Sequence, residues 1–278
     1  MTRQTTRGLA ARSALAAAML CLCTGGVAAQ PAPAAEASAD LAKKLSNPIS
    51  DLVSVPLQFN WEQGVGPQDQ TRFVLNLQPV VPFPLSPDWT MIGRFIMPFV
   101  AQPPLAEGGA PAFGIGDITA SAFFSPRPGR VIWGAGPVIV LPSTTQPTIG
   151  GEQWGLGPTA VVLRQQGHIT FGALWNQIWS FAGNRDRPDL NQMFFQPFFA
   201  YNAKHAVTFT LQSESLANWD ADEVWTVPIN VSVSKVASFG SFPASYAIGV
   251  GGFATSPTAG GADWKLRFTL TVLLPRRG

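Results

Sequence analysis

Charged residues are scarce in this sequence. Only 12% of its 278 residues are Asp, Glu, Lys or Arg, about half of the roughly 25% that is typical of soluble globular domains. A soluble protein of this size needs many charged side chains on its surface. The composition therefore argues against a soluble exterior.

The N-terminus has the three-part layout of a secretory signal peptide. A basic stretch that contains Arg3, Arg7 and Arg12 precedes an apolar run at 14–22 and a small-residue run at 24–29. The apolar run is shorter than the roughly 20 residues that a membrane-spanning helix needs. We therefore predict a signal peptide over residues 1–29, cleaved before residue 30, and an exported protein.

Cysteine is absent from the mature chain that this cleavage would leave. Cys21 and Cys23 both lie inside the predicted signal peptide, and each follows a leucine rather than the small residue that a lipoprotein cleavage site needs. The mature chain is therefore expected to have no lipid anchor, no disulfide and no cysteine metal site. Losing three arginines leaves 15 basic and 16 acidic residues, so no basic surface for nucleic acid is expected either.

Long apolar runs are also missing. Beyond the predicted signal peptide, no uninterrupted apolar segment approaches the roughly 18 residues of a spanning helix. An exported chain with few charges and no spanning helix has the profile of an outer-membrane β-barrel. The fold class that we predict is all-β, a transmembrane up-and-down antiparallel barrel.

The chain divides into segments of about ten residues, punctuated by 27 glycines and 25 prolines. We count twelve segments, and an even number is required if both termini lie on the periplasmic side. The predicted organisation is a signal peptide at 1–29, a periplasmic segment at 30–52 that is flexible or forms a short helix, and the barrel at 53–278. The segments start near Val55, Thr71, Trp89, Gly114, Val131, Trp154, Ile169, Gln192, Ala206, Val224, Pro243 and Trp264.

Strict alternation of apolar and polar residues marks the clearest segments. In "LQFNWE" at 57–62, and again in "WKLRFTLTVLL" at 264–274, large apolar residues occupy every second position, which is typical of a strand with two different faces. The connections after odd-numbered segments are mostly longer than those after even-numbered ones, as expected of outer loops and periplasmic turns. We therefore predict that the apolar face contacts lipid and that the polar face lines the lumen.

Aromatic residues lie near many segment ends, which is typical of the interfacial girdles of membrane barrels. A soluble barrel with the apolar face inward would instead expose mainly Gln, Asn, Thr, Ser and Gly. Such a surface has too few charged residues for a soluble protein. The girdle residues are Trp61, Trp89, Trp179, Tyr201, Trp219, Trp225 and Trp264.

Several ordered motifs resemble a family of bacterial outer-membrane proteins. This family is described as phenol-degradation meta-pathway proteins, is usually regarded as transporters, and is sometimes mislabelled neuromedin U. The resemblance implies an outer-membrane barrel that transports small, aromatic compounds, and it supplies no catalytic or ligand-binding residues. The motifs are "NPISDLVSVPLQFNWEQGVGP" at 47–67, "LNLQPVVPFPLSPDWTMIGRFIMPFV" at 75–100, "GIGDITASAFFSP" at 114–126, "WGAGPVIVLPST" at 133–144, "WGLGPTAVVLRQ" at 154–165, "NQMFFQPFFAYN" at 191–202 and "WTVPINVSVSK" at 225–235.

The alternation also predicts which residues line the lumen. Because segments twelve and one become neighbours on closure, charges on segments twelve, one, two, three and four should share one wall, opposite a largely neutral wall. Such charges can brace the barrel as ion pairs or present a basic path to a polar or anionic solute, and both alternatives stay open. The predicted lining residues are Glu62, Arg72, Asn76, Arg94, Asp117 and, from segment eight onward, Gln196, Glu214, Asn230, Lys265 and Arg267.

Twelve strands exceed the roughly eight whose side chains just fill a barrel, and fall below the 16 to 18 of open porins. A narrow channel for a small-molecule solute is therefore our main prediction, and a non-conducting barrel with a braced lumen is the alternative. We expect outer-membrane lipids and the barrel-assembly machinery as partners, and no nucleic acid.

An outer-membrane lipid hydrolase is the third hypothesis, because such barrels can hold a serine and a histidine on the lipid face. His168 and His205 both fall in predicted turns, and no Gly-x-Ser-x-Gly motif is present. We therefore predict no enzymatic activity, no cofactor and no metal site.

Overall fold

The computed structural model describes residues 32–239, 242–258 and 260–274. The predicted signal peptide lies outside these residues. Within them, no helix is both long enough and apolar enough to cross a membrane. By its contacts the chain separates after Ala35, and the unit from Glu36 onward holds most of one helix together with all the strands.

The described chain contains one α-helix followed by fifteen β-strands. The helix, α1, runs over Ala32–Leu45, inside the segment for which a flexible chain or a short helix was expected. The strands are β1 (Val53–Val65), β2 (Gln70–Leu77), β3 (Val80–Pro84), β4 (Trp89–Gln102), β5 (Ala112–Ile115), β6 (Ile118–Pro126), β7 (Ile132–Leu141), β8 (Gln153–Gln166), β9 (Ile169–Gly183), β10 (Asn191–Asn202), β11 (Val207–Ser213), β12 (Ser215–Asn218), β13 (Trp225–Phe239), β14 (Phe242–Thr255) and β15 (Trp264–Leu274).

The fifteen strands form the twelve staves of a closed antiparallel barrel. β2 and β3 continue one another, as do β5 and β6, and β11 and β12, because both members of each pair bond to the same neighbouring strand. Strand β15 pairs with β1 and strand β9 with β10, which closes the circle. We number the staves 1 to 12 in chain order, so that β4 is stave 3, β10 is stave 8 and β15 is stave 12.

The predicted fold is confirmed. Each of the twelve predicted starts lies within two residues of the observed start of its stave, including those of the glycine-rich staves 5, 6 and 11. A barrel has no free sheet edge, so every backbone N–H and C=O of a stave can pair with a neighbouring stave.

The two ends of the barrel differ in the length of their connections. At the loop end lie 66–69, 103–111, 142–152, 184–190, 219–224 and 256–263, whereas the turn end has 85–88, 127–131, 167–168 and 203–206. Side chains tie neighbouring loops together at the loop end, where Glu223 accepts hydrogen bonds from the hydroxyl and the backbone N–H of Thr258, both at 2.6 Å. These two bonds stabilise the charged carboxylate and hold the pKa of Glu223 below its usual value.

The outward face of the barrel is apolar and aromatic. Phe59 on β1 has ring contacts to Phe73 on β2 and Phe268 on β15, with centroids 6.4 and 6.0 Å apart. Exposed tryptophans lie near both ends of the staves. Those near the turn end are Trp89 and Trp133, and those near the loop end are Trp154, Trp179, Trp219, Trp225 and Trp264.

The opposite face points into the barrel, because residues that alternate with the exposed aromatics are shielded even where they are charged. Asn60 is 2% exposed, Lys265 4% and Arg267 8%. Each of these alternates along its strand with outward residues such as Phe268. The "LQFNWE" stretch therefore points its polar residues into the lumen.

Part of the lumen is filled by an apolar cluster on staves 3 to 8. Phe123, Leu163 and Leu174 are almost completely buried there, and they pack with Ile92, Ile132 and Val161. Ile49, which precedes the first strand, belongs to the same cluster and is 5% exposed. Residues between α1 and β1 therefore enter the barrel.

Helix α1 itself docks at the turn end. Ala42 packs against Ala206 and Val236, and the Gln165 side chain donates a hydrogen bond of 2.9 Å to the backbone oxygen of Lys43. Just beyond the helix, the Ser46 hydroxyl donates to Asn202 Oδ1 at 3.1 Å. We call 46–52, the stretch from here to the start of β1, the entry segment.

Candidate functional site

A cavity of about 290 Å³ lies in the lumen, next to the apolar cluster. The entry segment lines it at the turn end through residues 46–48 and Ser50, and staves 8 to 12 and 1 to 3 form its walls. Its lining is mixed: charged and amide side chains come from the middle of the staves, and apolar ones surround them. The polar lining includes Gln58, Gln78, Arg94, Gln196, Gln212, Glu214, Asn230 and Arg267, and the apolar lining includes Leu45, Pro56, Val80, Phe198 and Val250.

Glu214 and Arg267 form a bidentate ion pair at one wall of this cavity. Arg267 Nη1 and Nη2 lie 2.9 and 2.7 Å from the two carboxylate oxygens of Glu214, and Lys265 Nζ lies 3.3 Å from one of them. Arg267 also donates through Nε to Asn60 Oδ1 at 2.7 Å. Paired charges that are also hydrogen-bonded can be held in a shielded site.

The side chains of Glu214 and Arg267 meet inside the lumen, although two staves lie between the staves that carry them. Glu214 lies between β11 and β12 on stave 9, whereas Arg267 lies on stave 12. On stave 11, between them, the inward positions include Gly249 and Gly251, where an added Cβ would press on Ser232 and on Asn230 respectively. Glycine at these two positions therefore leaves room for the side chains of Ser232 and Asn230 on stave 10.

Amide side chains extend the network on both sides of the ion pair. Gln58 Oε1 accepts from Asn76 at 3.2 Å and from Gln78 at 3.3 Å. On the other side, Gln196 donates to Gln212 at 3.2 Å, and Gln212 donates to Glu214 at 3.3 Å. A chain of polar contacts therefore runs along the lumen wall from stave 8 to stave 3.

Glu62 and Arg72 form a second ion pair, nearer the loop end. Arg72 Nη2 and Nε lie 2.6 and 2.7 Å from Glu62 Oε2. Arg72 Nη1 also donates to the backbone oxygen of Gly260 in a loop-end connection, at 3.1 Å. The pair therefore ties staves 1 and 2 to the loop between staves 11 and 12.

Arg94 on β4 is placed differently from the other lumen cations. Its side chain lines the cavity and donates to Gln78 Oε1 at 3.2 Å. Among the residues that the structure describes, no carboxylate oxygen lies within 4.0 Å of its guanidinium, in contrast to Arg72, Lys265 and Arg267. Asn230, which is 5% exposed and lines the same cavity, has a side-chain amide with no hydrogen-bond partner in the described chain.

The structure distributes the ten sequence-predicted lining residues over four kinds of place. Five contribute to the cavity: Arg94, Gln196, Glu214, Asn230 and Arg267. Asn76 and Lys265 contact its lining residues, and Glu62 and Arg72 pair nearer the loop end. Asp117 accepts hydrogen bonds from the backbone N–H of Thr144 and Gly151, at 3.2 and 2.6 Å, and so anchors a loop.

Two features of the site differ from what the alternation suggested. Glu214 was placed on a neutral wall opposite the charges, but it joins them through Arg267 and Lys265. Gln58 and Gln78 lie on the polar strand faces that were predicted to line the lumen, whereas the entry segment was not among the predicted lining residues. The entry segment precedes the first strand, so the alternation of residues along the strands carried no signal for it.

The two histidines lie at the turn end. His168 Nδ1 is 2.9 Å from the backbone oxygen of Asn202, and its ring lies 6.2 Å from that of Tyr201. His205 lies in a short 3₁₀ turn and adopts a left-handed backbone conformation, with φ of 60°. In the described part of the chain, no group of three or more His, Cys, Asp or Glu side chains is arranged to hold a metal ion.

Comparisons with known proteins relate the fold to outer-membrane channels. No protein-family model and no curated protein matches the chain. Among solved structures, an outer membrane channel from Pseudomonas putida F1 is similar with a TM-score of 0.64 and 14% identity, over 80% of this chain and 96% of that one. The NanC porin is similar with a TM-score of 0.54 and 8% identity, over 80% of this chain and all of that one. At these identities the similarity shows a common barrel fold.

Proposed function

We propose that this protein is an outer-membrane channel for a small solute. The observation that carries the proposal is a closed twelve-stave barrel whose lumen contains a cavity of about 290 Å³ with charged and amide walls. A barrel that served only as a scaffold could fill its lumen with side chains throughout, as small barrels do. The similarity in fold to a Pseudomonas putida outer membrane channel supports the proposal.

The outward face supports a location in the outer membrane. It carries exposed apolar side chains along the staves and exposed tryptophans near both ends, as expected for a lipid-facing surface with interfacial girdles. The described chain enters and leaves the barrel at the turn end. With short turns on the periplasmic side, both termini would be periplasmic, and insertion would require the barrel-assembly machinery.

The proposed solute has both a polar and an apolar part. The cavity brings Arg94 and several glutamines together with Phe198, Val80 and Pro56. A ring-sized apolar body with one polar group would find partners for both. This agrees with the aromatic compounds that the resemblance to phenol-degradation meta-pathway proteins suggests.

A non-conducting barrel with a braced lumen is the second candidate. The two ion pairs favour it, because Glu62 with Arg72 joins the adjacent staves 1 and 2, and Glu214 with Arg267 joins staves 9 and 12. Ion pairs of this kind stabilise a barrel whether or not solute passes through it.

Conductance of the purified full chain in a planar lipid bilayer distinguishes the two candidates. As a channel, the protein should give small, discrete current steps in potassium chloride, and neutralising Arg72, Arg94 and Arg267 together should lower its preference for chloride over potassium. A barrel that is correctly folded and inserted, yet silent both before and after removal of residues 32–51, would contradict the channel proposal. A parallel assay of phospholipid hydrolysis should show no activity, in keeping with the proposal that the chain is not an enzyme.

A further inference from the structure

The lumen contains more cations than carboxylates at its inward positions. The cations are Arg72, Arg94, Lys265 and Arg267, and the carboxylates that pair with them are Glu62 and Glu214. Glu62 pairs with Arg72, and Glu214 accepts from both Lys265 and Arg267. Within the described residues Arg94 therefore forms no ion pair shorter than 4.0 Å.

A guanidinium in a shielded site is costly unless its charge and its N–H groups are matched by a partner. Arg94 has five N–H donors, and one bond, from Nη2 to Gln78 Oε1, is formed. The remaining N–H donors of Arg94 are on the same side chain, which lines the cavity. The cavity is thus the place from which a further partner can approach this cation.

We propose that Arg94 binds the carboxylate group of a small solute, whose apolar body lies against Phe198 and Val80. This inference rests on the proposed channel function and names the chemical class of its solute. The planar fork of arginine donates two parallel hydrogen bonds to a carboxylate, a match that a neutral solute does not reproduce.

The rest of the lining suits such an anion. Asn230 contributes a shielded amide that has no partner in the described chain, and Gln196 and Gln212 lie along the same wall. The cavity of about 290 Å³ is larger than the roughly 150 Å³ that suffices to bind benzene in an engineered protein cavity. A one-ring carboxylate therefore fits in volume as well as in charge.

Benzoate is the simplest test ligand of this class, and benzamide is its neutral counterpart of nearly equal shape. Isothermal titration of the full chain in detergent micelles should show benzoate binding at least about tenfold more tightly than benzamide, because the charge-assisted bonds are lost with the amide. Arg94→Gln should weaken benzoate binding by at least about tenfold, and Arg94→Lys should restore part of it.

Two matched controls separate this site from a general effect of charge. The double variant Arg72→Gln with Glu62→Gln removes the whole ion pair nearer the loop end, and Arg164→Gln removes an exposed cation on β8. Each should change benzoate affinity by less than about twofold, if affinity depends on the unpaired cation rather than on net charge. Circular dichroism should verify that each variant is folded.

Equal affinity for benzoate and benzamide, or benzoate binding unchanged by Arg94→Gln in a folded protein, would overturn the proposal. Because binding is measured in micelles, this result is separate from the conductance test. Current steps without benzoate binding would leave the channel intact and reject the carboxylate site. Benzoate binding without current steps would reject the channel and retain the site.

Discussion

Glu214 is the residue on which the lumen network depends most. Its two carboxylate oxygens accept from Arg267 and Lys265, and Gln212 donates to it as well. The three charged side chains are 5 to 19% exposed, so water screens the pair only weakly. Removing one partner of such a pair leaves the other charge shielded and unmatched.

Glu214→Gln should therefore lower the free energy of unfolding by about 3 kcal/mol. Urea unfolding from lipid vesicles, followed by tryptophan fluorescence, measures this change. Glu152→Gln, at an exposed loop-end carboxylate that accepts from Asn184, is the matched control and should change the stability by less than about 0.5 kcal/mol.

The double variant Glu214→Gln with Arg267→Gln tests whether the loss comes from this ion pair. Contacting residues couple by about 0.5 to 3 kcal/mol, so the double variant should cost less than the two single variants together. Strict additivity would show that the two side chains act independently.

Sequence alternation was sufficient to place individual residues and to pair those on adjacent staves, but not to pair residues on distant staves. It put Glu62 and Arg72 on one face of adjacent staves, and they pair as neighbours do. It could not foresee that Glu214 would reach Arg267 from three staves away, because that contact crosses the lumen side of two other staves. Pairing inside a barrel follows from side-chain length and free volume, which the period-2 pattern does not contain.

At the scale of secondary-structure elements, the entry segment contributes residues 46–48 and Ser50 to the lining of the lumen cavity at the turn end. Ile49 packs among Ile92, Phe123 and Leu174, and Gly134 faces it, where an added Cβ would lie 3.3 Å from Ile49 Cδ1. The segment has few other apolar anchors, so its docking depends strongly on this one side chain.

Ile49→Ala should weaken the docking of the entry segment by about 2 to 4 kcal/mol, the usual cost of deleting a buried isoleucine side chain. Undocking opens the turn end of the cavity, so single-channel conductance in planar bilayers should rise, or the open state should become more frequent. The cleavage rate of the entry segment by an added protease should rise with it.

Asp51→Ala provides the control for this prediction. Asp51 lies in the same segment and its carboxylate is 3.5 Å from Lys44 Nζ, but both side chains are exposed. Such surface pairs contribute about 0 to 1 kcal/mol, so this variant should behave like the original protein. Unchanged conductance and cleavage in Ile49→Ala would show that the segment does not control access.

The strands themselves were predicted more accurately than the contents of the barrel. Turn residues and alternation located every stave, because both depend on local backbone geometry. On stave 5, however, both faces are apolar or glycine, and on both stave 5 and stave 6 apolar residues such as Val138 and Val161 are buried. Their pattern could not show that the apolar cluster fills part of the lumen, since that depends on which distant staves close onto them.

At the scale of the whole molecule, charge and aromatic residues are distributed as a bilayer would require. Few charges lie on the outward face, and seven of the nine tryptophans, all of which lie within the described residues, are exposed near the ends of the staves. Tryptophan favours the interface between headgroups and acyl chains because its ring is apolar and its N–H is polar. The two girdles should therefore sit at the two interfaces of one membrane.

Fluorescence quenching in lipid vesicles tests this placement directly. Lipids with bromine near the headgroup end of the acyl chain should quench the tryptophan emission more strongly than lipids with bromine near the terminal methyl group, because both girdles lie close to an interface. Aqueous iodide should quench less than either lipid, since the exposed rings face acyl chains rather than water.

Replacing Trp133 and Trp89, the turn-end pair whose rings contact at 6.2 Å, by Phe should lower the emission. The lipid with bromine near the headgroup end should still be the stronger quencher of the two. Strong quenching by iodide together with weak quenching by both lipids would mean that the aromatic surface faces water, and the membrane location would then be wrong.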